Sequence, residues 1–483
     1  MIAGFMVPHP PMIVPEVGRG SESVIEETAK AYERVADMIA GIKPDTVIIS
    51  SPHSVMYADY FHISPGSGAE GSFSRFGAPE VEMSVEYDRE LVQLISDRAE
   101  VAGIPAGTSG ERDPSLDHGT MVPLYFILKK YSDFKLVRTG LSGLSLSDHY
   151  RLGMVISQAV ESLGRRAVYV ASGDLSHKLK SNGPYGYAPE GPVYDERIMD
   201  VMASAEFDRL FDFDEAFLDR AAECGHRSFV MMAGAFDRTG LTVERLSHQD
   251  VTGVGYGICT YETVTDSEGE AHKNEDRAFL DKWEKHRMEE LDRKREGEDA
   301  YVRLARLSLE SYIKNGTPIS WESEGITVLD KEPSPEERKE TEKELTERRA
   351  GAFVSIHKNG QLRGCIGTIG PVEDKLADEI IANAVSASTR DPRFSAITED
   401  ELPYLELNVD VLSEAESISS KSELDVKKYG VIVTKGYRRG LLLPDLDGVD
   451  TVDDQVAIAC RKAGISPDEE GISLERFEVV RHT

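Results

Sequence analysis

Three short apolar runs in this chain each end in a histidine-bearing loop, and that repetition restricts the fold more than any other feature. Ile2–Val7 is followed by Pro8-His9-Pro10-Pro11, and Thr46–Ile49 by Ser50-Ser51-Pro52-His53. Ala167–Ala171 is followed by Ser172-Gly173-Asp174-Leu175-Ser176-His177. Runs this short and this apolar read as strands buried on both faces, as in a parallel α/β sheet. In open α/β sheets, ligands bind beyond the carboxyl ends of the strands. A single histidine after a strand is usually a turn or capping residue. Three such histidines have no common reason to arise from independent turns, so the pattern predicts that they converge.

The intervening segments supply helices and further strands. Ser21 is expected to cap a helix whose apolar stripe is Val24, Ile25, Tyr32, Val35, Ala36 and Ile39. Leu91, Leu94, Ile95 and Val101 mark a second helix over 87–102, and Ser147 is expected to cap a third that runs through Leu163. Phe61–Ser64, Phe134–Thr139, Thr242–Ser247 and Val254–Thr263 read as strands, and Pro65–Gly77 as a Gly/Ser-rich loop. Alternation of strands and helices predicts one α/β domain over 1–264. From Asp266 to Asp299 the residues are almost all charged or polar, but Phe279, Leu280, Trp283, Arg287 and Leu291 keep helical spacing. A charged helical linker is therefore expected over 265–299.

Residues 300–483 read as a second, smaller α/β domain. It opens with a helix over 300–314 and continues through strands at Ala352–Ile356, Leu362–Ile369 and Leu405–Leu412. A hairpin is expected from Val431–Thr434 and Gly440–Leu443, then a final helix over 455–463. The motif Leu362-Arg363-Gly364-Cys365-Ile366-Gly367-Thr368 is a strand with two glycines, where backbone must bend or approach closely. Cys365 reads better there as a small buried residue than as a nucleophile.

The net charge of −31 disfavours binding to nucleic acid or to an anionic membrane, both of which need a positive surface. The four cysteines form no CxxC pair and suggest no disulfide framework. No run approaches the roughly 18 apolar residues of a membrane span, and no basic segment precedes the first apolar run. The expectation is a cytoplasmic protein.

Neutral imidazole suits iron, zinc and copper, so His9 and His53 are candidate metal ligands. A third, anionic ligand would complete a face that leaves coordination positions open for oxygen and substrate on ferrous iron. Glu223 is the favoured carboxylate and the adjacent Cys224 its rival, since a thiolate would favour softer metals. His177 then becomes an acid/base beside the metal, with Asp174 orienting either it or a metal ligand and His118 hydrogen-bonding substrate or bound oxygen.

The His9, His53 and His177 segments, with Asp117-His118-Gly119-Thr120-Met121-Val122-Pro123-Leu124, resemble the class III extradiol dioxygenases of catalytic-subunit type and their Memo-like relatives. The resemblance covers roughly the first 260 residues. It implies an α/β catalytic domain, Fe(II) on His9 and His53, His177 as acid/base, His118 as a pocket residue, and a catechol-type substrate. In ring-cleaving members the third ligand is a glutamate; in Memo-like members a cysteine followed by glycine stands there. Glu223 and Cys224 lie side by side, so iron-dependent ring opening and a Memo-like role, with zinc as the other metal, both stay open. The Leu362–Thr368 motif, Gly440-Leu441-Leu442-Leu443-Pro444 and Cys460-Arg461-Lys462-Ala463-Gly464 closely resemble the AMMECR-type domain over roughly 297–483. The fusion resembles the AmmeMemoRadiSam protein A family, which implies a radical S-adenosylmethionine enzyme as partner.

Overall fold

The computed structural model describes residues 1–265, 271–332, 334–446 and 448–483. The chain divides into two compact units, Met1–Glu284 and Lys285–Thr483. The linker expected over 265–299 includes residues 266–270, which lie outside the described residues. A helix, Phe279–Gly297, covers most of the rest. Phe279 and Leu280 are buried in the core of the first unit, where Trp283 packs against Phe211. Lys294 pairs with Glu406 inside the second.

The first unit is built on a six-stranded sheet: β1 (Ala3–Val7), β2 (Thr46–Ser51), β3 (Lys135–Gly140), β4 (Ala167–Ser172), β5 (Leu241–Gln249) and β6 (Tyr256–Thr263). Their spatial order is β3-β2-β4-β1-β6-β5. The first four are parallel; β6 and β5 add an antiparallel edge. β1, β2 and β4 are buried at every position because both faces carry helices. Alternate residues serve the two sides: Phe5, Val47, Val168 and Val170 join one core, while Met6, Ile48, Tyr169 and Ala171 join the other. The three histidine-bearing runs are thus the central neighbours β2, β4 and β1, and their loops leave from the same edge.

Several local expectations are corrected. The third predicted helix is Leu146–Ser162, capped by Ser145 rather than Ser147, with the Ser145 hydroxyl accepting the Asp148 N–H. Val24 and Val101 are exposed instead of lying on apolar stripes. Pro65–Gly77 is not a loop throughout, because Gly68–Phe73 pairs antiparallel with Ala78–Glu86. Glycine and serine there serve a half-exposed hairpin.

Among the described residues, the second unit holds two four-stranded sheets. One has the order Gln361–Gly367, Ala352–Lys358, Leu405–Leu412, Val479–His482. The two motif glycines are required by space. A Cβ on Gly364 would lie 2.2 Å from the Ala387 carbonyl oxygen, and one on Gly367 would lie 2.2 Å from the Phe353 ring. Cys365 is half-buried, with the Ser355 hydroxyl 3.3 Å from its sulfur. Arg363 from the same motif forks onto Glu401, each bond 3.0 Å, and Lys358 joins at 3.0 Å. Burial opposes ionisation of Glu401, but the hydrogen bonds from Arg363 and Lys358 outweigh it and bring the carboxyl down to about 2. Its contribution is therefore complete above the ordinary carboxylate range and lost as pH falls through about 2. Glu401→Gln leaves two partly exposed cations, Arg363 and Lys358, short of a counter-charge and should cost about 1.5 kcal/mol in a denaturant titration near neutral pH.

Candidate metal centre

Because β1, β2 and β4 are adjacent, the loops after them meet. His9 Nε2 lies 3.0 Å from His53 Nε2 and 3.6 Å from Cys224 Sγ. These three ligand atoms all lie within 4.8 Å of one another, the only such His/Cys/Asp/Glu group of three or more among the described residues. Bonds of about 2.0–2.1 Å to nitrogen and about 2.3 Å to sulfur at tetrahedral angles imply donor separations of about 3.4 and about 3.6 Å. The His9–His53 and His9–Cys224 separations are close to those that a single ion needs.

The ring of His9 is held in one tautomer. Ser172 Oγ donates to the Gly119 carbonyl at 2.6 Å, so its oxygen accepts the Nδ1–H of His9 at 2.9 Å. Nε2 is left with its lone pair facing the cluster. The His9 N–H donates to Asp174 Oδ1 at 2.7 Å. Asp174 also reaches Cys224: its backbone N–H points at Sγ over 3.3 Å, and its carbonyl accepts the N–H of Gly225 at 3.1 Å. A donor aimed at sulfur favours thiolate over thiol.

His9 is buried, and burial first, then His53, His118 and His177, holds its pKa well below the ordinary value. His53, exposed to the cleft, is lowered to about 4, by desolvation first and then by His118. Burial, then Asp174 and Glu223, pushes the Cys224 thiol well up. Two neutral imidazoles and a costly thiolate are the arrangement that a bound cation favours, because its charge reverses the local balance.

His118 opens the helix His118–Leu128, capped by Asp117, whose Oδ1 accepts the Thr120 N–H at 3.0 Å. Its ring sits 4.0 Å from that of His53 and 5.4 Å from that of His9. His177 donates Nδ1–H to the Ala222 carbonyl at 2.5 Å, leaving Nε2 as an acceptor, 4.0 Å from Asp174 Oδ2. Burial keeps this imidazole below its usual pKa and raises Asp174 to about 7 against the opposing His9 N–H. Glu223 is placed outside the cluster. Its carboxylate turns to the start of the helix His226–Ala235, where it accepts the His226 N–H at 2.6 Å.

A cleft of about 1050 Å³ opens beside His53 and His118, with Phe76 and Arg75 from the hairpin region and Asp117 and Arg138 on its walls. Arg138 is buried and donates to Ser64 Oγ at 2.7 Å and the Ser115 carbonyl at 2.6 Å. Sequence reading missed Ser172, Arg138 and Phe76 as parts of the site. An arginine inside an apolar strand was the available signal for Arg138; Ser172 gave none, since a strand-end serine is commonplace.

Residues 3–259 match the family described as the catalytic LigB subunit of aromatic ring-opening dioxygenase, and residues 302–482 match AMMECR1. A curated protein of Clostridium acetobutylicum is 40% identical, with 99% of this chain and 98% of that protein covered. A Thermotoga maritima protein is 48% identical, over 38% of this chain and 98% of that protein. Among solved structures, an uncharacterized protein from Escherichia coli K12 overlays with a TM-score of 0.35 at 14% identity, covering 54% of this chain and 99% of that chain.

Proposed function

The chain belongs to the LigB-type family of aromatic ring-opening dioxygenase subunits, carries an AMMECR1 domain after it, and on that premise we propose a metal-dependent oxidoreductase centre in the first unit. His9, His53 and Cys224 hold the ion, iron being the metal proposed and zinc the redox-silent alternative. The observation that carries this reading is the approach of two imidazole nitrogens and one sulfur to within 4.8 Å. A metal bound there would supply Lewis acidity and, if redox-active, electron transfer to a small polar substrate such as an aromatic diol.

The protein's own groups do the rest. Ser172 fixes the tautomer of His9, and the Asp174 N–H stabilises sulfur as thiolate. His177 is neutral with Nε2 free, so it can take a proton from a substrate hydroxyl. His118 and Phe76, whose rings lie 5.4 Å apart, form a wall against which a planar substrate can rest. A radical S-adenosylmethionine enzyme is the proposed partner of the two-unit chain.

The test is anaerobic purification with metal analysis, followed by oxygen uptake across a catechol panel. About one metal per chain is expected, with uptake on at least one catechol. His177→Ala should keep the metal and lower uptake by about 10²–10⁴-fold. Metal without uptake on any catechol overturns ring opening and favours a substrate-holding role beside the radical enzyme. No metal at all overturns the reading.

A further inference from the structure

A second site of different chemistry lies in the C-terminal unit. A pocket of about 430 Å³ is lined there by the end of the helix Phe279–Gly297, by Arg306 from the helix Ala300–Asn315, and by the start of the strand Leu405–Leu412. Four of its lining side chains are basic (Arg293, Lys294, Arg295 and Arg306) and two are acidic, Glu298 and Glu406. In a chain of net charge −31, a pocket with that excess of cations calls for an explanation.

Both acids are already engaged. Glu298 takes Nε and Nη2 of Arg306, and Glu406 takes Lys294 at 2.6 Å. Arg306 is 9% exposed, and its Nη1 has no hydrogen-bond partner although it is buried. Arg295 donates Nη2 to the Leu402 carbonyl at 2.7 Å, while its buried Nε has no partner and its nearest carboxylate, Asp292, is 3.9 Å away. Burial first, and then the charge of Arg306, lowers the pKa of Arg295, so the two guanidiniums are close enough to repel. Buried donors are almost always paired; Arg306 has Glu298 as counter-charge but a spare Nη1, and half-buried Arg295 has no carboxylate within hydrogen-bond distance. A planar guanidinium fork is the group best matched to carboxylate or phosphate.

We propose that this pocket binds a small oxyanion, a carboxylate or phosphate carried by a small molecule, with Arg306 and Arg295 as its principal contacts. The site stands apart from the metal-centre reading and does not depend on it.

The test is calorimetric titration of the full chain with inorganic phosphate and with succinate, at constant ionic strength set by chloride. Saturable binding of at least one anion is expected, weakened about tenfold or more in Arg295→Gln. Arg295 is the variant of choice because Arg306 also anchors Glu298. Arg306→Lys, which keeps the charge but removes the unpartnered Nη1, should weaken binding similarly in protein whose circular dichroism matches wild type. Binding should be unchanged in His9→Ala, which alters only the first unit. No saturable binding, equal binding in Arg295→Gln, or binding lost in His9→Ala each overturns the proposal.

Discussion

Cys224→Ala protein is expected to purify without stoichiometric metal, whereas Glu223→Ala keeps it. The two residues are adjacent and both half-buried, yet the turn between Glu215–Ala221 and His226–Ala235 sends them in opposite directions. Sulfur faces His9 at 3.6 Å; the carboxylate faces the N-terminus of the following helix. Loss of a partner that only orients a ligand costs about 10–100-fold in metal affinity, so loss of a ligand should cost more than about 100-fold. Glu223→Ala removes an acceptor at a helix start and should cost about 1 kcal/mol of stability with metal retained. Metal content by mass spectrometry, together with thermal melts of both variants, separates these outcomes. The reverse pattern, metal lost with Glu223 and kept without Cys224, would make the carboxylate the ligand and restore the two-histidine, one-carboxylate face.

The sheet and its histidines were legible because parallel strands buried on both faces leave a local signature. Short apolar runs such as Ala167–Ala171 have few other interpretations when helices intervene. The meeting of the three histidine loops was legible for the same reason, since the carboxyl ends of adjacent parallel strands share one edge. The hairpin Gly68–Phe73 and Ala78–Glu86 was not, because its strands are half-exposed and rich in glycine, serine and charge. The helix Leu376–Thr389 escaped for the opposite reason. It is buried on nearly all sides, so its small apolar residues show no stripe. The choice between Glu223 and Cys224 lay beyond any pattern of spacing, since it turns on the direction of one tight turn. Ser172 was out of reach too, because its importance lies in a hydrogen bond to Gly119 across the sheet edge.

Gly173→Ala should destroy the metal centre without touching a ligand. A Cβ on Gly173 would stand 2.1 Å from the Cα of Gly225, and a Cβ on Gly225 would meet the Phe229 ring at 2.4 Å. Neither glycine has a positive φ, so conformational freedom is not what either position demands. Both are there for space: the loop after β4 and the turn carrying Cys224 approach backbone to backbone. Hydrogen bonds pin each side, with the Gly173 N–H on the Val7 carbonyl at 2.9 Å and the Gly225 N–H on the Asp174 carbonyl at 3.1 Å. A methyl group cannot be absorbed by a rotamer change, because the atom it meets is main chain. Overpacking typically costs 1–3 kcal/mol, and a clash with fixed backbone belongs at about 3 kcal/mol or above. Relief requires the Cys224 turn to move away from His9, so metal content and the melting temperature of the first unit should fall together. Gly41→Ala is the matching control, as nothing lies within 4 Å of its Cβ position and its φ is not positive. In the helix Glu26–Ile42 that substitution should be neutral or stabilise by about 0.5–1 kcal/mol with metal retained. If Gly173→Ala instead melts with wild type and holds its metal, the two backbones do not meet at this point, and the placement of Cys224 beside His9 falls with them.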